Sequence, residues 1–574
     1  MKPVWSRGKA WAPVFDPLLG CSAIDLSRAV PHQKQLNARF PLAPRCLRLY
    51  PPPHACWNSP MNNNTKRLLA RAAGLVAATA LAGCTVGPDF KRPDWASPAS
   101  WFSGPKEAVI PPPSIPVADP IDADWWTLFH DPVLTGLERR VAAENLDVKV
   151  AGVRLAESRA QIGIARAALF PTLNANTSYV RQQASNNGIF AIIPSAAGAN
   201  GASGAPGSST GGVTGQGLQP FDLFQGGFDA SWEVDLWGGV QRSVESANAS
   251  NEAANEAKRS VLLASLAEVA RDYIALRGVQ TQLQIARDNV GTARQSLSLT
   301  QQRAAGGVTT DLDVANASAQ LRTTLSQIPT LEQQEAQLIN ALSLLLGQPP
   351  NALRADLVIR APVPPVPPRV PVGLPSELAR RRPDVRQAEA QLHAATADIG
   401  VAQANFYPSL NLTGSFGLQS LQFAKIFDAN SKQYALGPGL TIPIFQGGQL
   451  RSTLQLRQAQ QQEAAVNFQK TVLQAWHDVD NALTAYKSEQ TRRDELVQAV
   501  SDNQRALVLA QSRYQLGVAD FLEVLTAERS LLAAQLQLAD STTTVSSNLV
   551  ALYKALGGGW EVDMPEGKTA AKSF

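Results

Sequence analysis

The chain has 574 residues, and its 51 Lys and Arg against 47 Asp and Glu leave a net charge of +4. Charged residues make up 17%, below the roughly 25% of ordinary soluble chains, and aromatic residues only 6%, which argues against a polyanion-binding surface, nucleic acid included, and against a large compact enzyme. No run of 18 apolar residues occurs, so no membrane-spanning α-helix is predicted, and any membrane role falls to lipid or to strands.

Residues 1–60 are rich in Pro, Arg and Trp, hold three of the four cysteines (Cys21, Cys46, Cys56) and follow neither structural period; they are taken as a non-native extension upstream of Met61. Residues 61–83 have the layout of a secretory signal: Lys66, Arg67 and Arg71, then a short apolar region from Ala72 to Ala82. It ends at Leu81-Ala82-Gly83-Cys84, which resembles a bacterial lipoprotein signal, and that resemblance implies a covalent lipid on Cys84. Cys84 is the last cysteine, so neither a disulfide framework nor a thiolate metal site is available beyond it. A Pro-rich, extended segment covers 84–130, where Pro111-Pro112-Pro113 excludes helix.

From 131 onward the chain matches itself. Leu155, Ile162, Gly163, Pro171 and Asn174 recur 237 positions later as Leu392, Ile399, Gly400, Pro408 and Asn411. Farther on the offset falls to 209 and then 210: Gly238-Gly239 with Gly447-Gly448, Arg303 with Arg513, Gly307-Val308 with Gly517-Val518. The predicted organisation is a first repeat over 131–350, a Pro-rich linker over 351–374, a second repeat over 375–558 and a tail over 559–574. The extra residues of the first copy fall in the Gly/Ser/Ala-rich stretch from Ala196 to Gln219, a flexible loop.

Each copy starts with a helix that stops before Pro171 or Pro408. The period then changes to two. Leu173, Ala175, Thr177 and Tyr179 alternate with Asn174, Asn176 and Ser178, and the strand that returns places Phe228, Ala230, Trp232, Val234 and Leu236 against Asp229, Ser231, Glu233 and Asp235. The same pattern gives β-hairpins over 172–237 and 409–446, four strands of roughly ten residues with one apolar face, a length that crosses a bilayer at a tilt.

Two long helices are predicted over 240–305 and 449–516, each about 100 Å at 1.5 Å per residue. Their seams, Leu262, Leu266, Val269, Tyr273, Leu276 and Val472, Trp476, Val479, Leu483, Tyr486, have coiled-coil spacing. Gly307 and Gly517 turn the chain, and return helices over 309–346 and 520–556 begin with the capping pairs Thr310/Asp313 and Asp520/Glu523. Acidic side chains along the long helices are expected on solvated faces.

Four strands cannot close a membrane barrel, so copies must share one: two copies give eight strands and a filled interior, three give twelve and a lumen. Asn174, Ser178, Thr413 and Ser415 suit a wet interior. The predicted fold is therefore a membrane β-barrel, twelve-stranded in a homotrimer, continued by a long α-helical coiled-coil tunnel. The match of Gly207-Ser208-Ser209-Thr210-Gly211 to a hydrolase elbow is set aside because it lies in the low-complexity loop. The five histidines (His32, His54, His130, His393, His477) form no metal-ligand pair, and no phosphate loop is present, so no catalytic, metal or cofactor site is expected and any driving energy comes from a partner.

Several motifs together resemble the TolC/NodT family of outer-membrane efflux lipoproteins. They are Cys84 followed by Gly87-Pro88-Asp89-Phe90-Lys91-Arg92-Pro93, Trp126 with Phe129-His130-Asp131-Pro132, Arg381-Arg382-Pro383-Asp384-Val385, and both Gly-Gly junctions. The resemblance spans nearly all of Cys84 to about Trp560. It implies a lipid-anchored homotrimer in the outer membrane, working with a periplasmic adaptor (a membrane fusion protein) and an inner-membrane transporter of the RND type. It also implies a periplasmic gate at the second helical hairpin, at positions matched here by Tyr514, Leu522 and Arg529. Thr526 stands where some relatives carry an aspartate, which leaves Glu523 or Glu528 as the acid for Arg529. An exit duct for small molecules is the leading expectation. The alternatives are an exit for polypeptides in type I secretion and a lipid-anchored coiled-coil scaffold without a pore.

Overall fold

A computed structural model describes residues 85–93, 114–183, 220–373 and 380–561, all within the unit Leu75–Phe574. The expected extension, signal, Cys84, low-complexity loop and most of the tail lie outside the described residues. Described elements in chain order are β1 (Ile115–Val117), a short 3-10 turn (Trp125–Phe129), α1 (Pro132–Glu144), α2 (Leu146–Ala167), β2 (Thr172–Gln182) and β3 (Phe221–Val234). Then come α3 (Gly239–Ala305), α4 (Asp311–Leu345), α5 (Arg354–Leu357), β4 (Arg369–Pro371), α6 (Pro383–Ala404), β5 (Ser409–Ser420), β6 (Lys432–Thr441), α7 (Gln449–Gln515) and α8 (Phe521–Leu556).

Local chemistry sets the ends of the long helices. Gly238 (φ 73°) and Gly448 (φ 90°) precede α3 and α7 in the left-handed conformation, which a side chain would strain. Both helices run 67 residues, about 100 Å of rise. Gly307 (φ 67°) and Gly517 (φ 75°) make the turns into α4 and α8. At the start of α4 the capping box forms, the Thr310 amide donating to the Asp313 carboxylate at 3.3 Å. At the start of α8 it does not: Asp520 makes no side-chain cap, and the Glu523 carboxylate lies 3.1 Å from Arg513 instead of turning back to the Asp520 amide. Pro329 sits inside α4 and removes one backbone hydrogen bond from its ladder.

Both coiled-coil seams face inward. Leu262, Leu266, Val269, Tyr273 and Leu276 are buried, as are Val472, Val479, Leu483 and Tyr486, with Trp476 packed against them half-buried. Helix α3 packs on α2, α4, α6 and α8. Around its middle the core is thickest: Trp125 stacks on Tyr553 at 5.3 Å between centroids and meets Trp126 and Phe129 edge-on. Asp131 caps α1 through the amides of Val133 (2.8 Å) and Leu134 (3.1 Å) and accepts from the Tyr273 hydroxyl at 2.7 Å, so Trp126-to-Pro132 ties the N-terminal segment to α3. Arg382 does the same for α8: it donates to Asp384 (2.7 Å), Asp478 (3.1 Å) and the Ala555 carbonyl (2.9 Å).

Two features depart from the sequence reading. The Pro-rich stretches on either side of the first repeat pair with each other, β1 running parallel to β4 from Ile115–Arg369 to Val117–Pro371. Not every acid on a long helix is solvated: Glu256 on α3 is buried against Arg259 (2.5 Å) and Arg386 (2.9 Å), and desolvation raises its carboxyl above the usual range.

Trp125 is wholly buried, and truncating it leaves a cavity beneath Tyr553. Trp125→Ala should therefore cost about 3–5 kcal/mol, read as a lowered denaturation midpoint in detergent.

Candidate functional site

Strands β2, β3, β5 and β6 form one antiparallel sheet in that order. Residues directly paired share a face, and the register collects the apolar ones on a single side. Leu173, Ala175 and Tyr179 of β2 pair with Ala230, Phe228 and Phe224 of β3. Phe228, Trp232 and Val234 pair in turn with Phe416, Leu412 and Leu410 of β5, and Leu410, Gly414 and Phe416 with Leu440, Leu436 and Tyr434 of β6. In a single chain this face is bare: Leu436 is 87% exposed and Tyr434 83%.

The opposite face is polar. Asn174 pairs with Asp229, Asp229 with Ser415, Ser231 with Thr413 and Glu233 with Asn411. Asn176 donates to Asp229 at 2.5 Å, Trp232 on the apolar side donates its indole N–H to the Leu169 carbonyl at 3.1 Å, and β2 and β6 keep one edge each without a partner among the described residues. Where strands meet helices, Trp237 stacks on Tyr407 at 4.6 Å and its N–H reaches the Pro408 carbonyl at 2.8 Å.

The segment that follows Cys84 is fixed at this junction. The Val86 amide donates to the Trp237 carbonyl at 3.0 Å, and Asp89 pairs with the buried Arg242 at 2.6 Å. Gly87 (φ 110°) lies so close to α6 that a Cβ there would stand 2.5 Å from the Gly400 Cα, which explains a glycine at both positions. Phe90 stacks on His393, whose Nε2 lies 2.9 Å from Glu245, itself paired with Arg242 at 2.7 Å.

At the far end of the helices the residues expected at the gate separate into distinct settings. Tyr514 is buried, tilted against Phe521 at 5.6 Å, and its hydroxyl finds no partner among the described residues. Leu522 is exposed on the tip, beside the exposed Leu516 and Val518. Glu528 is buried and accepts a hydrogen bond from Ser296 of α3; burial raises its carboxyl above the usual range. Arg529 donates from Nε to Gln320 of α4 at 2.7 Å, and Thr526 turns back to the Leu522 carbonyl at 2.7 Å.

Within one chain, then, neither Glu523 nor Glu528 serves Arg529. Glu523 is taken by Arg513, and neighbouring residues such as Glu528 and Arg529 point to different sides of a helix. The sequence reading missed one tie between the two helical hairpins. Arg303, in the last turn of α3, donates to the Tyr514 carbonyl at 2.6 Å and the Gln515 carbonyl at 3.2 Å, and its guanidinium lies 4.5 Å from the centre of the Tyr514 ring. A cation there meets the negative end of α7 and the face of an aromatic ring together. Its match to Arg513 in the repeat gave no hint of this, since Arg513 pairs with Glu523 instead. Among the described residues no group of acids, histidines and cysteines is placed to hold a metal ion.

Comparison with known proteins agrees with this arrangement of sheet and hairpins. The family model for outer membrane efflux proteins matches residues 137–348 and 374–558. The toluene efflux pump outer membrane protein TtgC of Pseudomonas putida is 33% identical over 507 residues, 86% of this chain and 96% of that one. The pyoverdine export outer membrane protein OpmQ of Pseudomonas aeruginosa is 35% identical over 440 residues, 76% of this chain and 88% of that one. Among solved structures, the outer-membrane channel OprN is 31% identical, with a TM-score of 0.73 over 83% of this chain and all of the other. A strand sheet apolar on one side, two helical hairpins, and matches over most of the chain lead to one conclusion: the chain belongs to the outer membrane efflux protein family.

Proposed function

We propose that the protein is the outer-membrane channel of a tripartite efflux pump, a passive duct through which small molecules leave the periplasm. The observation that carries this reading is the register of the four-stranded sheet, which separates an apolar face from a polar one while leaving β2 and β6 with open edges. Hydrocarbon does not tolerate such edges, so three copies join edge to edge into a twelve-stranded barrel with the polar face lining a lumen. The chain is a duplicated unit: helix, strand hairpin, long helix and return helix occur twice in the same order. In the trimer the six helical hairpins continue the lumen as a periplasmic tunnel. Relatives named as pump components support a periplasmic adaptor and an inner-membrane transporter, of the RND type, as partners. Cys84 carries the lipid: Val86, two residues on, is fixed beside Trp237 and Tyr407, an aromatic pair suited to a membrane interface.

The tunnel closes at the tips around Gly307 and Gly517. There Arg303 clasps the end of α7, Arg529 holds α8 to α4 through Gln320, Tyr514 and Glu528 are buried in the closed packing, Glu523 pairs with Arg513, and Leu522 stands exposed at the tip. Opening swings the second hairpin away from the first and breaks these contacts.

Single-channel conductance of purified trimers in planar bilayers tests both duct and gate. A hydrogen bond to a charged group is worth about 1.5–3 kcal/mol. Arg303→Ala should therefore shift the closed-to-open ratio roughly tenfold or more toward open. Arg529→Ala should shift it less, because one contact is lost rather than two bonds and a ring. Wild type and both variants with one conductance would refute the gate, and no conductance from any of them would refute the duct.

The Glu528 carboxyl supplies a pH test. Its raised value means that the closed tip binds a proton that an exposed carboxylate, titrating near 4.3, has already lost. Closure is thus favoured at low pH and weakened as pH rises from about 4 through the raised value. Glu528→Gln, which keeps the neutral form, should lower open probability at neutral pH and converge on wild type at about pH 4 and below.

A further inference from the structure

At the end of the sheet away from the helices, the connection between β5 and β6 folds back over the apolar face. Phe423 sits edge-on to Phe224 at 5.5 Å, and Phe224 packs on Tyr179 at 4.9 Å. Between this connection and the strands is a cleft of about 610 Å³ lined chiefly by Tyr179, Phe224, Phe228, Phe416, Phe423 and Phe427. Its size is that of a small-molecule site, about 300–1,000 Å³. The strands that form it, β2, β3 and β5, come from one chain, so closing a barrel with further copies leaves the cleft open to the side.

The charges beside it are mostly cationic. Lys425 lies in the folded connection between Phe423 and Ile426, and Lys432 opens β6 opposite Leu418, on the apolar face. Both are exposed, and neither takes part in an ion pair among the described residues. Arg181 lies two residues beyond Tyr179 on the same face, 3.8 Å from Asp222, which also accepts from the Tyr179 hydroxyl at 2.9 Å. Asp428 is the one acid of the connection, and Asp222 belongs to β3. Two unpaired lysines next to an aromatic cleft, at the edge of a hydrocarbon-facing surface, fit a molecule with an acyl chain and a phosphate.

We infer that this cleft binds the phosphorylated, multiply acylated glycolipid of the outer leaflet, lipopolysaccharide, an acyl chain lying under Phe423 and Phe427 and a phosphate meeting Lys425 and Lys432. The inference rests on the reading of β2, β3, β5 and β6 as membrane-spanning with the helices on the periplasmic side, which puts the β5–β6 connection at the outer leaflet. Basic residues near an anionic lipid surface contribute about 1 kcal/mol each. Removing both lysines should therefore weaken binding by roughly thirtyfold.

The test titrates delipidated, detergent-solubilised full-length protein with purified lipopolysaccharide, with phosphatidylglycerol as comparison, followed by native mass spectrometry. Wild type should hold lipopolysaccharide in preference to phosphatidylglycerol. A Lys425→Ala/Lys432→Ala double variant should lose about thirtyfold in affinity, and Phe423→Ala should also bind less tightly. Equal lipopolysaccharide binding by wild type and the lysine variant, or phosphatidylglycerol held as tightly as lipopolysaccharide, would overturn the inference. Bilayer conductance of the same preparations reports separately on the duct: unaltered conductance in the variants shows that they are folded, and a wild type without conductance counts against the duct rather than the cleft.

Discussion

The constraint on which the proposed assembly turns is the pair of strand edges, one on β2 and one on β6, that have no partner among the described residues. A four-stranded sheet in water can leave its outer amides and carbonyls to solvent, but the same sheet with a bare face of Leu173, Phe228, Phe416, Leu436 and Tyr434 is suited to hydrocarbon, where each orphaned group costs several kcal/mol. A sheet suited to fat on one side and water on the other, with open edges, is incomplete by itself. In the proposed trimer, further copies of the same chain complete it without any new element.

The helical part continues that constraint. Because each long helix follows the sheet directly after a left-handed glycine, the strands set where the helices start, and in the proposed assembly the number of copies would set how many surround a lumen. The thick core of Trp125, Trp126, Phe129 and Tyr553 girdles the hairpins midway, joined by the caps of Asp131 and Arg382. The tips, by contrast, rest on a smaller apolar cluster around Tyr514, Phe521, Val524 and Leu525, on a handful of polar ties from Arg303, Arg529, Glu528 and Arg513, and leave Val308, Leu516 and Val518 exposed. If the hairpins of several copies wall a tube, as proposed, its opening is expected at the tip rather than the girdle, since local opening is drawn from regions with fewer buried contacts.

Much of this was legible in the sequence, for physical reasons. Strands with one apolar face must alternate, so Leu173 to Tyr179 and Phe228 to Val234 announced themselves, and the register then placed the predicted polar residues Asn174 and Ser415 on one face with Asp229. Long helices without Pro are bounded by glycine, so Gly307 and Gly517 marked the turns. What escaped lacks a period. The three-residue strands β1 and β4 are too short to alternate, and their pairing spans the whole first repeat. Arg303 looked like any arginine near a helix end until the fold brought the end of α7 beneath it. Glu523 looked like a capping acid, and a competing Arg513 that only the helical turn brings near took it away. Glu256 had the composition of a solvated face and was buried by α6, an element more than a hundred residues distant.

The central claim is that the sheet's open edges are closed by sister copies, and copy number tests it most directly. Full-length protein extracted in mild detergent, its mass measured by native mass spectrometry, should be a particle of three chains that persists on dilution. A particle of one chain, stable and folded with both strand edges free, would contradict the account.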